Sequence, residues 1–495
     1  MKRQWNMLIL CCLCVVGLRA NHIQVGQLTL TDIDPIKKTA VLQCQLRWQN
    51  SWRSDANPGN HDAAWVFFKF RRNNGDWQHL HPAPQGHSAT ATSPVSFQPE
   101  SANPRESFHP TRNPIVGLLL YRATPGKGTL IFDTLRIQWH YGQEGIESAT
   151  SLELRVFALE MVYVPEGPFQ LGDGQSTGTF RGTGSNTPVS IGDFATVLKC
   201  EDTSNDDAQL EGAGIWIHGS AGISQTSSSP VQLNPHFPTG YRSFYVMKHE
   251  VSQQNYTDFL NTLTPVQASA RAYTGGTFRH NIQLQSGIYT TSTPHLPNNW
   301  MNWEDAAAFA DWAALRPMTE NEFEKACRGN QTALGGEFAW GTTGITNNSY
   351  LLQAAGTIAE SVSNSSSIAG NAVYDQTTTL GPFRSGIFAE PGSNNRVQAG
   401  ASFWGIMELS GNLVELCITI GRAEGRVFTG RCGDGILDAS GVANVADWPA
   451  SSAIGIGFRG GSWLFGSNLC RVSDRQDAAT NFTTRFEDIG FRAVR

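Results

Sequence analysis

Nine cysteines and twelve histidines are the residues of this 495-residue chain with the widest chemical reach. A thiolate is a nucleophile or a soft metal ligand, and an imidazole is a base or a ligand. Cys11, Cys12 and Cys14 lie in an apolar run near the N-terminus, which leaves Cys44, Cys200, Cys327, Cys417, Cys432 and Cys470. All twelve histidines stand at or before His295, so the last 200 residues contain none. His79 and His81 are close together but have no further ligands in zinc-like spacing. His218, His236, His249 and His280 show no ligand spacing either. No GxSxG, HExxH or Walker-type loop occurs. Adjacent carboxylates such as Glu304–Asp305 and Asp206–Asp207 face apart on a helix and read as solvated. Cys470, within RGGSWLFGSNLCRVSDR (459–475), is the thiol in the most patterned surroundings. It is a catalytic remnant, half of a disulfide or a buried group, and the last two are the expectation.

The chain around these residues is weakly charged. Its net charge is -6 and 16% of residues are charged, with no long basic run, so nothing points to nucleic acid. Lys2 and Arg3 precede the apolar run at 7–18, and Ala20 supplies a small residue before a cleavage point. This is a secretory layout, too short to span a bilayer comfortably. It predicts a signal peptide over 1–20 and a protein that is secreted or held at the cell surface, with no membrane span. Export to an oxidising compartment permits disulfides. Cys417 and Cys432 flank a stretch that reads as a hairpin, so they are the first candidate pair.

Residues 21–158 carry period-two apolar alternation in TAVLQCQLRW, AAWVFFKFRR and GTLIFDTLRIQWHY, which predicts an all-β sandwich. Residues 174–242 form a long Gly/Ser/Thr/Asp-rich insertion. Helices are predicted over 245–263, with Ser252 as N-cap, over 301–315, and over 319–329. In the last, Thr319 and Glu322 form a capping box. Gly460 and Gly461 permit close backbone approach and positive φ. Trp300, Trp303, Trp312, Trp340, Trp404 and Trp463 supply apolar bulk to a core poor in regular structure.

MVYVPEGPFQLGD (161–173), YVMKHEVSQQNYTDFL, MNWEDAAAFADWAALRPMTENEFEKACRG, GIMELSGNLVEL (405–416), FRGGSW (458–463), RVSDR (471–475) and GFRAVR (490–495) follow one another in order. Together they resemble the formylglycine-generating-enzyme, or sulfatase-modifying-factor, domain. The resemblance implies an α+β class, with a C-type-lectin-like domain over 159–495 preceded by the β-sandwich as an adaptor.

The family enzyme oxidises a substrate cysteine with copper held by two cysteines. The resemblance puts Cys470 at the second of these and Phe465 at the first, and a phenyl ring cannot ligate copper. Val414 stands where the family has a tryptophan beside the metal, while Ser462 is retained. Copper is therefore not expected, and neither is catalysis. For calcium, which takes roughly six to eight oxygens, the resemblance implies Glu408 and Glu415 with the carbonyls of Gly411 and Leu413. A second site would use Asn371 and the Ala372 carbonyl. The function so implied is a non-catalytic, calcium-stabilised binding or structural protein. Its partner would be a protein or a second copy, with a glycan as a lesser possibility because no Glu-Pro-Asn or Gln-Pro-Asp signature occurs. WLFGSNL (463–469) is the expected contact loop. The competing expectation is an oxidase of peptide cysteines with an altered copper site.

Overall fold

The computed structural model describes residues 23–147, 152–174, 179–181, 187–192, 199–203, 215–218, 231–347, 349–389 and 395–495. The expected signal peptide and much of the 174–242 insertion lie outside the described residues. The described parts of the insertion include strands of a small four-stranded sheet.

The architecture is mostly strands with few helices. The alternation in the N-terminal third becomes long antiparallel strands. Thr39–Ser54 pairs with Gly126–Trp139 on one side and with Thr29–Asp34 on the other. Asn60–Arg72 pairs with Ile115–Arg122 and with Leu152–Val164. The two groups meet at one end, where Arg53 and Ser54 pair with His61 and Asn60. Period two sends alternate side chains to opposite faces. Leu42, Leu46 and Trp48 accordingly share one apolar cluster with Ala64, Val66 and Phe68.

The intervening residues of the Asn60–Arg72 strand turn the other way. Ala63, Trp65 and Phe67 join the cluster of the helix Trp303–Trp312. The Trp65 indole N–H donates to the Ala313 carbonyl at 2.8 Å, and the Arg495 guanidinium lies 4.7 Å over its ring. This strand is buried on both faces, so the N-terminal strands and the C-terminal core share side chains. The strand Leu152–Val164 extends the junction. It pairs with Asn60–Arg72 from Leu152 to Val162, and from Met161 to Val164 it also pairs with Phe244–Met247. The sheet then runs on through Ala493–Val494, Arg316–Thr319, Val414–Ile418 and Ile456–Arg459. The boundary expected at 158/159 therefore falls inside a strand, because the alternation that opens MVYV begins at Leu152.

The helices form where local signals place them. Gln253–Leu260 is capped by Ser252 and Glu320–Arg328 by the Thr319–Glu322 box. Trp303–Trp312 starts after Asn302, whose amide closes a box with Asp305. Residues 245–247, expected to start a helix, instead belong to a fully buried strand, Phe244–Met247. A further helix, Pro265–Arg271, went unanticipated although Thr264, Pro265 and Gln267 are start signals. From 329 onward short strands tie irregular loops. Four arginines are buried around them: Arg328 pairs with Glu324 and Glu337, Arg459 with Glu324, Arg475 with Glu320 and Arg492 with Glu415. Trp303, Trp312, Trp340, Trp404 and Trp463 are buried as expected, while Trp300 is half-buried against Tyr273. No helix among the described residues is long and apolar enough to cross a membrane.

Candidate functional site

After the strand Ile456–Arg459 the chain turns at Gly460 (φ 87°) and Gly461 (φ 68°). A Cβ on Gly461 would sit 2.7 Å from the Cys470 Sγ, so only glycine lets the turn close over the thiol. Cys470 ends a 3-10 turn, Ser467–Cys470, and is fully buried with Phe338, Trp340 and Ala372. Burial, with the nearby Asp474 as a lesser cause, pushes its thiol up to about 12. That shift disfavours the thiolate, the form that acts as a nucleophile.

Cys470 is also free, as are Cys44, Cys327, Cys417 and Cys432, all of them buried. The expected Cys417–Cys432 disulfide is thus corrected. Cys417 points into a cluster with Met318, Phe323 and Cys327. The residues between it and Cys432 form a short helix, Ala423–Arg426, in place of a hairpin. The Cys200 side chain lies outside the described residues.

The other positions carried over from the oxidase serve separate neighbourhoods. Val414 pairs with Ile489 and packs in the cluster that holds the helices. Ser462 donates its hydroxyl to Asp488 Oδ2 at 2.7 Å and accepts the Leu464 N–H, so it pins the loop. Phe465 is 47% exposed and Leu464 37%. Their loop is held by main-chain bonds from Asp375 N to the Phe465 carbonyl and from Gln376 N to the Trp463 carbonyl. Leu380 stands exposed beyond Gln376.

The Ser462–Asp488 pair makes a prediction. Burial raises the Asp488 carboxyl from 3.8 to about 6, although the serine hydrogen bond opposes it. A carboxyl raised in the folded state stabilises most below its unfolded pKa, and that contribution is lost as pH rises through the folded value. Stability should fall from about pH 4 to pH 6 by up to about 3 kcal/mol on this account. Asp488→Asn should flatten that part of the slope in urea titrations run across this window. An unchanged slope would mean that Asp488 does not titrate there.

Of the residues expected to hold calcium, Glu408 and Glu415 fall into one buried cluster with Glu250. Glu415 Oε1 accepts from Arg492 Nε at 2.7 Å. Glu250 accepts from the Leu413 N–H at 2.9 Å and from Asn412 Nδ2 at 2.7 Å. Glu408, at φ 54°, accepts from Gly386 N at 2.6 Å, and its other oxygen lies 3.4 Å from His249 Nδ1. Arg492 also donates to the carbonyls of Met247, Lys248 and Met407. Burial, then Glu415 and Glu408, drive the Glu250 carboxyl well above the usual range. Burial raises Glu415 as well, against the pull of Arg492. Three carboxylates thus surround one guanidinium, and Glu415 Oε2 has no hydrogen-bond partner among the described residues.

Gly411 and Leu413 belong to the same turn, with Gly411 N bonded to the Gly460 carbonyl. Asn371 lies apart from this cluster. Its amide accepts from Ser366 N and Tyr350 Oη and donates to the carbonyls of Ser366 and Gln398. The Ala372 N–H is taken by Tyr350 Oη. Among the described residues, no three His, Cys, Asp or Glu side chains stand together as a metal-holding group.

Sequence reasoning missed Glu250 and Arg492, and it set His249 aside for want of ligand spacing. Each lies inside a quoted motif, KHEVS or GFRAVR, but spacing alone does not reveal that these motifs meet.

Residues 153–495, well over half of the chain, match the family described as Sulfatase-modifying factor enzyme 1-like domain. No curated protein matches the chain. The ordered motifs from MVYVPEGPFQLGD to GFRAVR fall within that span, and the chain belongs to this sulfatase-modifying-factor family.

Proposed function

We propose that this is a secreted or cell-surface, non-catalytic binding protein. Its family domain contacts another protein, or a second copy, through the loop at 463–469, and its N-terminal β-sandwich serves as the adaptor. One observation carries the reading. Where the resemblance puts the two copper ligands, this chain has an exposed Phe465 and a buried Cys470. Leu464 and Phe465 therefore face solvent on a loop pinned from below, which suits protein contact. Calcium belongs to the reading as a structural ion beside Glu415, where carboxylates outnumber the guanidinium.

The test is sedimentation and elemental analysis of residues 21–495 beside Phe465→Asp. The unmodified protein is expected to self-associate and the variant to sediment as a monomer of unchanged fold, with about one calcium bound and no copper. Stoichiometric copper lost in Cys470→Ser would replace this reading with the oxidase. Binding on a glycan array that Phe465→Asp abolishes would replace the protein partner with a sugar.

A further inference from the structure

Away from the 463–469 loop, a groove of about 1570 Å³ runs beside the strand Leu152–Val164. Its floor is an open sheet edge. One edge of this strand is paired with Asn60–Arg72 along its length from Leu152 to Val162. The other edge is paired with Phe244–Met247 only from Met161 to Val164, with one further bond from Lys248 N to the Glu160 carbonyl. Glu160 therefore directs its main-chain groups away from Asn60–Arg72. In an antiparallel ladder without a bulge, Leu152, Leu154, Val156 and Ala158 do the same. No described residue bonds to the outward N–H and C=O groups of these four.

The groove has two walls, one on each face of the missing strand, and each mixes apolar with polar side chains, Gln24 and Gln27 on one and Asn255, Asp258 and Asn261 on the other. Ile23, Val25 and Leu28 lie on the side of the N-terminal cluster, which Leu154 and Val156 also join. Leu263, Ile288 and Tyr289 line the opposite side. Sheet proteins guard such edges with proline, bulges or inward charges. Here Leu152–Ala158 contains no proline. Its two charged side chains are spent on neighbours: Glu153 pairs with Arg71, and Arg155 lies 4.5 Å over the Trp77 ring and donates to the Asn261 carbonyl.

We propose that this edge accepts a strand: an extended segment of a partner polypeptide, alternating apolar and hydroxyl residues, adds to the sheet along Leu152–Ala158, continuing the line of Phe244–Met247. Main-chain groups repeating on alternate residues are matched by another main chain. A slot whose walls mix apolar and polar side chains takes a strand of alternating apolar and hydroxyl residues. A compact domain would not enter between the two walls.

The probe is a fluorescein-labelled peptide of alternating valine and threonine flanked by lysines, beside its fully N-methylated counterpart, titrated into residues 21–495. Binding is expected to slow amide exchange at Leu154 and Val156. The N-methylated peptide should not bind. Val156→Pro removes one outward N–H without touching the bonds to Asn60–Arg72. It should weaken binding by about tenfold, the order of one main-chain hydrogen bond. Ile288 is 58% exposed, so Ile288→Glu tests the far wall without risk to folding, and it too should weaken binding. The proposal is overturned if the exchange of Leu154 and Val156 is unchanged at saturating peptide. It is also overturned if N-methylation leaves affinity intact, which would mark a plain apolar surface.

Discussion

Glu324→Ala is expected to lower global stability by about 3–5 kcal/mol, the cost of leaving buried charge uncompensated. Glu324 is a hub for two guanidinium groups. Its Oε1 accepts from Arg459 Nη2 at 2.7 Å, and its Oε2 accepts from Arg328 Nη1 at 3.1 Å and from the Gly172 N–H at 2.8 Å. All three charged side chains are inaccessible to water. Alanine would leave Arg328 with Glu337, and Arg459 with main-chain carbonyls alone. Water cannot enter to replace the carboxylate, so the loss is far greater than for an exposed pair. Lys38–Glu147 is such a pair, and Glu147→Ala should change stability by about 0.5 kcal/mol or less. Urea unfolding of both variants gives the comparison. A Glu324→Ala loss no larger than that of Glu147→Ala would refute the buried network as the tie between the loops and the helix Glu320–Arg328.

The second large effect concerns the junction. Residues 159–495 expressed alone are expected not to reach the native fold, and residues 21–495 are expected to unfold in one cooperative transition. Cutting at 158/159 divides the strand Leu152–Val164 and removes the strand that pairs with it from Asp62 to Arg72. It also removes Ala63, Trp65 and Phe67 from the cluster of the helix Trp303–Trp312. Trp312 would lose the edge-on contacts of Phe67 and Phe157, both at 5.0 Å. Losing one large buried aromatic costs about 3–5 kcal/mol, and the cut removes two together with a sheet ladder. Typical domain stability is about 5–15 kcal/mol, so little would remain. Near-ultraviolet circular dichroism and thermal melting of the fragment are the measurements. A sharp melt with native aromatic signal would show the C-terminal part to be autonomous.

The sequence by itself determined what depends on residues a few positions apart. The Ser252 cap, the Thr319–Glu322 box and the strand alternation in AAWVFFKFRR were legible because each is closed by bonds or geometry within its own segment. The turn at Gly460–Gly461 was legible because positive φ excludes most other residues. The family was legible because its motifs keep their order. Tertiary structure alone decided the rest. Cys470 is a buried thiol because Phe338, Trp340 and Ala372, distant in sequence, close around it. Glu415 faces Arg492, 77 positions away, and both meet Glu250 only when three distant segments converge. FYVM became a strand because the edge of Leu152–Val164 was there to receive it. The physical reason is common to all three. A cap or a turn gains its free energy locally, whereas burial and charge compensation depend on which distant segments exclude water from a side chain.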